Sequence, residues 1–136
     1  QSTLFSCWAA HAAIYHYFGK NRVLNSEKLS GVYPIEVQNE HDELMRGFDP
    51  IFYAPQSRYG EIPIAVYQSI PELTVLASSA KTGAHIVASN DKRLVFVTGH
   101  PEYDPESLSH GSLLFTNWLN YYVYQNTPYD LESLSR

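Results

Sequence analysis

An α/β fold is predicted by three features of the sequence: a strand-to-helix junction at its start, a series of short apolar segments through its middle, and an aromatic helix towards its end. At the junction, Leu4-Phe5 reads as the end of a buried strand. Residues 8–18 then carry a helical pattern, with Trp8, Ala12 and Tyr15 on one side and Ala9, Ala13 and His16 on another. Gly19 follows as the residue that ends the helix in a left-handed turn. Residues 21–28 read as a polar connection, with Ser26 and Glu27 opening a short turn. Strands are expected over 31–37, 51–54, 73–77, 85–89 and 94–98, where β-branched and apolar residues concentrate. Pro34 assigns the first of these to a sheet edge or a bulge, because proline lacks the ladder N–H. Lys81-Thr82-Gly83 and residues 90–93 are turns by composition. Asp104-Pro105 has the form of an N-cap followed by proline at the first helical position. Ser109-His110-Gly111 interrupts that helix almost at once, and residues 113–124 form the longer aromatic one.

At 136 residues the chain has the length of one domain. Its 44% hydrophobic and 17% charged residues are enough for a core inside a soluble surface. A single cysteine excludes an internal disulfide and fits a reducing, cytoplasmic compartment. The formal net charge of −5, without a basic cluster, argues against nucleic acids and anionic membranes as partners. No apolar stretch has the length of a membrane span, and the start lacks the basic and apolar regions of a signal peptide. A start at Gln1, without an initiator methionine, suggests a fragment. His11 and His16, five apart on one helix, fall on different faces, so no metal site is expected.

Cys7 stands where the first strand passes into the first helix. A side chain at such a turn is pushed out where the helix begins. There, unpaired backbone N–H groups and roughly half a positive charge favour thiolate over thiol. The thiolate is the nucleophile. Lowering the thiol pKa by about two takes roughly 2.7 kcal/mol of differential stabilisation, within reach of a helix dipole and a nearby imidazolium together. A lone cysteine is more often a small buried hydrophobe, so this stretch by itself leaves both roles open.

The expected strand over 94–98 leads directly into Gly99-His100-Pro101-Glu102. Open α/β sheets place their sites at the C-terminal ends of such strands. A catalytic cysteine needs a base to take its proton and a carboxylate to hold the imidazole in the right tautomer. His100 and Glu102 supply both. Singly they are a loop histidine and a solvated glutamate; beside a strand–turn–helix cysteine they make a triad.

The segment Ser2 to Ala10 resembles the nucleophile segment of the homoserine O-acyltransferases of bacterial methionine synthesis. Arg46-Gly47-Phe48-Asp49, the stretch from Phe52 to Tyr59, the stretch from Val97 to Asp104 and the stretch from Leu113 to Gln125 resemble later blocks of that family, in the same order. The resemblance implies a flavodoxin-like three-layer sandwich of the class I glutamine-amidotransferase type, of which this chain is the C-terminal part. It implies transfer of an acetyl or succinyl group from acetyl-CoA or succinyl-CoA, through a cysteine thioester, to the hydroxyl of homoserine. Some lactic-acid-bacterial relatives acylate serine, which widens the context to methionine or cysteine biosynthesis. Carried over by position, Cys7 is the nucleophile, His100 the base and Glu102 the carboxylate. Lys28 and Ser57 fall on substrate-contact positions. Without the resemblance, Lys28 reads as a solvated loop lysine. Arg58 is a further candidate for the substrate carboxylate on chemistry alone, and the backbone N–H groups near Trp8 form the oxyanion site. No bound cofactor or metal is implied, and a homodimer is.

The chain also departs from the family. Residues 1–136 are expected to be a single catalytic domain without the family's N-terminal half, and without a segment between Leu108 and Ser109 that carries a carboxylate-binding arginine. Two other readings are compatible with the residues. One is a glutamine amidotransferase (glutaminase) domain, which shares the Cys-His-Glu logic and a His-Pro-Glu sequence, but usually has glycines where Ser6, Trp8 and Ala9 flank Cys7. The other is a non-catalytic fragment whose exposed sheet edge pairs with a partner.

Overall fold

The computed structural model describes residues 2–6, 8–98 and 113–123, with the side chains of residues 8, 23–30 and 55–60 outside that description. Six strands form one mixed sheet: β1 (Thr3–Ser6), β2 (Val23–Val37), β3 (Ile51–Glu61), β4 (Leu73–Ser79), β5 (Gly83–Ser89) and β6 (Leu94–Val97). Their order across the sheet is β1-β6-β5-β4-β2-β3. β1 and β6 are parallel; every other pairing is antiparallel. The helices are α1 (Trp8–Phe18), α2 (Ile64–Gln68) and α3 (113–123), whose Trp118–Val123 stretch is π-helical.

Side-chain alternation along the strands assigns the two faces. On β6, Phe96 joins α1 and α2 through Ala10, Ala13, Ile14 and Tyr67, while Val95 and Val97 face the other way, towards Leu114 and Tyr122 of α3. β5 repeats this with Val87 on one side and Ile86 and Ala88 on the other. Helices thus cover both faces, and strands buried on both sides read as continuous apolar runs. This is the α/β sandwich expected, with more antiparallel pairing than a doubly wound sheet has.

Several elements differ from their sequence reading. β2 begins at Val23, inside the stretch expected to be a polar connection, because β3 continues to Glu61 and supplies its ladder partners. Pro34 is tolerated because β4 reaches β2 only at Glu36 and Val37, which leaves one side of the strand open at the proline. β1 is a half-buried strand rather than a buried one. α2, a short helix after Pro63, has too few residues to show a period. Gly19 closes α1 as expected, with φ +69° and its N–H donating to the Tyr15 carbonyl at 2.9 Å.

α3 is fastened to the 3₁₀ turn Glu43–Met45. Asn117 Nδ2 donates to the carbonyls of Leu44 and Arg46 at 2.9 and 2.7 Å. The Tyr122 hydroxyl donates to Asp42 Oδ1 at 2.6 Å, the oxygen that also accepts the Leu44 N–H at the start of that turn. Trp118 Nε1 donates to Ser2 Oγ at 3.0 Å and ties the same helix to the entry of β1.

Candidate active site

β1 and β6 run side by side in register, Thr3 with Leu94 through Ser6 with Val97. The Phe5 and Phe96 rings stack at 5.6 Å and 13°, which locks the pair one residue before both strands end. β1 stops at Ser6 and α1 starts at Trp8, so the expected strand-to-helix junction is present. On the β6 side the Thr98 N–H donates to the His85 carbonyl at 3.0 Å, and Thr98 Oγ1 to the Ala84 carbonyl at 2.9 Å. The chain is therefore held against β5 up to the residue before Gly99. Cys7, His100 and Glu102 themselves lie outside the described residues.

The register fixes what else gathers at this end of the sheet. β4 finishes here at Ser79, and β5 begins here at Gly83. Glu36 of β2 stands opposite Ser78, so residues 23–34 run past the last residue of β4 and pair with β3 alone. The resulting two-stranded ribbon extends beyond the end at which β1 and β6 stop. Leu29 pairs with Arg58 and Ser30 with Ser57. The backbones of Lys28, Ser57 and Arg58, three of the expected substrate-contact positions, are thereby brought together on one stretch of the ribbon. Trp8 opens α1, where its N–H belongs to the unpaired first turn.

His85 was not singled out from the sequence. It is 2% exposed, its ring lies 5.9 Å from that of Phe52, and it flanks the exit of β6. The signal was present: a histidine within an otherwise apolar strand must find a polar partner or a reason to be buried. A cavity of about 680 Å³ lies at the opposite end of the sheet, bounded by Thr3 and Leu94 at the starts of β1 and β6 and by Tyr17 and Phe18. In open α/β sheets the chemistry sits at the C-terminal strand ends, so size does not make that cavity the active site. Among the described residues, no group of three or more His, Cys, Asp or Glu side chains is placed to hold a metal, and no helix is long and apolar enough to cross a membrane.

Solved structures share this architecture. A candidate GMP synthase protein from Thermoplasma acidophilum superimposes with TM-score 0.71 at 19% identity, over 87% of this chain and 55% of that one. A glutamine amidotransferase from Thermotoga maritima does so with TM-score 0.56 at 14% identity, over 85% and 47%. At such identities the likeness is one of fold, the class I glutamine-amidotransferase type. In sequence, the chain is 61% identical to a homoserine O-succinyltransferase of Pseudoalteromonas atlantica, over 99% of this chain and 55% of the relative. It is 52% identical to that of Alteromonas mediterranea, over 98% and 54%. The chain thus spans about half the length of the curated relatives it matches. The first match runs over 170 positions against the 136 residues of this chain, so within the matched span the relative carries residues that have no counterpart here. A family model described as homoserine O-succinyltransferase matches residues 1–110. The chain belongs to the homoserine O-succinyltransferase family.

Proposed function

We propose that this chain is the catalytic part of an acyl-CoA-dependent O-acyltransferase that succinylates the hydroxyl of homoserine through a thioester on Cys7. The observation that carries the reading is the parallel pairing of β1 with β6. Two strand ends about 4.8 Å apart deliver the chain to Cys7 after one residue and to His100 after three. The relatives' names favour succinyl over acetyl as the acyl group and homoserine over serine as the acceptor.

In the reaction, His100 takes the Cys7 thiol proton while Glu102 holds the imidazole. The thiolate attacks the thioester carbonyl, and the Trp8 N–H donates to the oxyanion. The carbon–sulfur bond to coenzyme A breaks, and the leaving thiolate takes the proton from His100. The homoserine hydroxyl then gives its proton to His100 and attacks the acyl-enzyme, and Cys7 leaves as thiolate and recovers the proton. Lys28 meets a substrate carboxylate or an anionic group of coenzyme A, Arg58 meets the substrate carboxylate, and Ser57 donates a hydrogen bond to the acyl group or amino acid. The ribbon supports these roles by extending past the strand ends that precede the nucleophile and base. The stretch that relatives carry and this chain lacks agrees with a segment absent between Leu108 and Ser109. A cytoplasmic homodimer serving methionine synthesis completes the reading.

Release of coenzyme A from succinyl-CoA in the presence of homoserine tests it, alongside release of ammonia from glutamine. The reading expects the first and not the second. The reverse would assign the glutaminase chemistry that the fold also supports.

A further inference from the structure

The first 26 residues contain no aspartate or glutamate but include His11, His16, Lys20 and Arg22, in a chain of net charge −5. Structure concentrates part of that positive stretch on one flank of α1. His11, Ala12, Tyr15, Asn21 and Arg22 line an open cavity of about 250 Å³ there. His11 is buried, whereas Tyr15 presents more than half of its surface. Asn21 Oδ1 accepts the Arg22 backbone N–H at 2.9 Å, which leaves the Asn21 amide nitrogen as a donor. Among the described residues no carboxylate lies within ion-pair distance of the Arg22 guanidinium.

We propose that this flank seats the phosphate-bearing end of a coenzyme A thioester, an inference that rests on the acyl-CoA reading above. A guanidinium with no carboxylate partner among the described residues presents phosphate with a planar fork of donors. A segment with Lys20 and Arg22 and no acidic residue, in an acidic chain, favours a polyanion here. The exposed Tyr15 ring beside it is a stacking platform for adenine. Position agrees with the chemistry. α1 begins at the residue after Cys7, and Trp8 and Tyr15 are about 10 Å apart along its axis. The flank is thus removed from the nucleophile by a distance that a pantetheine arm bridges.

The test compares succinyl-CoA with succinyl-pantetheine, which carries the same thioester without nucleotide or phosphate, as acyl donors for the complete protein. Arg22→Glu is expected to raise KM for succinyl-CoA by about tenfold or more, the worth of one charge-assisted contact. Its kcat, and its KM for succinyl-pantetheine, are expected to stay unchanged. Arg22→Lys should retain most of the affinity. Adenosine 3′,5′-bisphosphate should compete with succinyl-CoA on the wild type and lose that effect on Arg22→Glu. An equal change for both donors, or no change for either, overturns the proposal while leaving the acyltransferase reading in place. Failure of the wild type to react with either donor overturns the acyltransferase reading itself, and this proposal with it.

Discussion

Ser6 and Val97 are register partners, each the last residue of its strand, on the one parallel pair of the described sheet. Phe5 and Phe96, immediately before them, stack ring on ring. Cys7 and His100, the proposed nucleophile and base, lie far apart in sequence, and these are the strands that precede them.

Phe96 is fully buried beneath α1. Phe96→Ala should cost about 3–5 kcal/mol in denaturant unfolding, as the loss of a large core ring does. Acylation of the folded fraction should fall as well, because the stack that fixes the two strand ends is gone. Stability lost with acylation per folded molecule intact would show that the stack does not position the site.

Gly47 has φ +84°, and a Cβ built there meets Leu113 Cδ2 at 3.2 Å. Gly47→Ala should destabilise by about 1–2 kcal/mol, chiefly because an L residue is forced into left-handed backbone. Leu113 can yield, since the contact is with the tip of a flexible side chain. Unfolding of the Gly47→Ala, Leu113→Ala double variant measures this. The backbone cost should persist in it, whereas full recovery would assign the cost to the clash.

Tyr122→Phe keeps the buried ring and removes the hydroxyl that donates to Asp42. A hydrogen bond to a charged group contributes about 1.5–3 kcal/mol, which is the loss expected. Asp42→Ala should lose more, since the same oxygen caps the 3₁₀ turn. Burial, then the hydrogen bond and the charges of Asp42 and Glu43, hold the Tyr122 hydroxyl far above the ordinary tyrosine value. A group whose pKa is raised on folding gives its full stability below the unfolded pKa and loses it as pH rises beyond that value. Above about pH 10, the wild type should therefore lose stability more steeply than Tyr122→Phe, measured by denaturant midpoints across the alkaline range.

The turn into β6 is organised by Ser89 and Asp91. Ser89 Oγ donates to Asp91 Oδ1 at 2.7 Å and accepts the Leu94 N–H at 2.9 Å, while the Arg93 N–H reaches the same carboxylate oxygen at 3.0 Å. The Ser89 hydrogen bond is the main cause that lowers the Asp91 pKa, against a smaller opposing effect of burial. A pKa lowered on folding gives stability that is present above the unfolded value and lost as pH falls through the folded one. Asp91→Ala should cost about 0.5–1 kcal/mol at neutral pH, the small value reflecting its exposure. The difference from wild type should shrink below about pH 4. Urea unfolding at pH 7 and pH 3 checks both.

What the sequence made legible follows where its signals are local. The bounds of α1 and the turn over 90–93 came from side-chain period and turn composition, and both hold. The first half of β2 did not, because its polar residues become a strand through pairing with β3, a partner distant in sequence. The π-helical stretch of α3 lies in a helix fastened to other elements through Asn117, Trp118 and Tyr122, contacts that no periodicity records. For the candidate site, spacing and motif singled out Cys7, His100 and Glu102. That Lys28 and Ser57 belong to one stretch of structure is a fact of register, invisible until the ribbon is paired.

Intact-protein mass spectrometry after mixing the complete protein with succinyl-CoA, and separately with acetyl-CoA, tests the central claim most directly. A succinyl adduct that forms on the wild type, is absent from Cys7→Ala and disappears when homoserine is added is the predicted result. No adduct with either donor, or one that survives in Cys7→Ala, would contradict it.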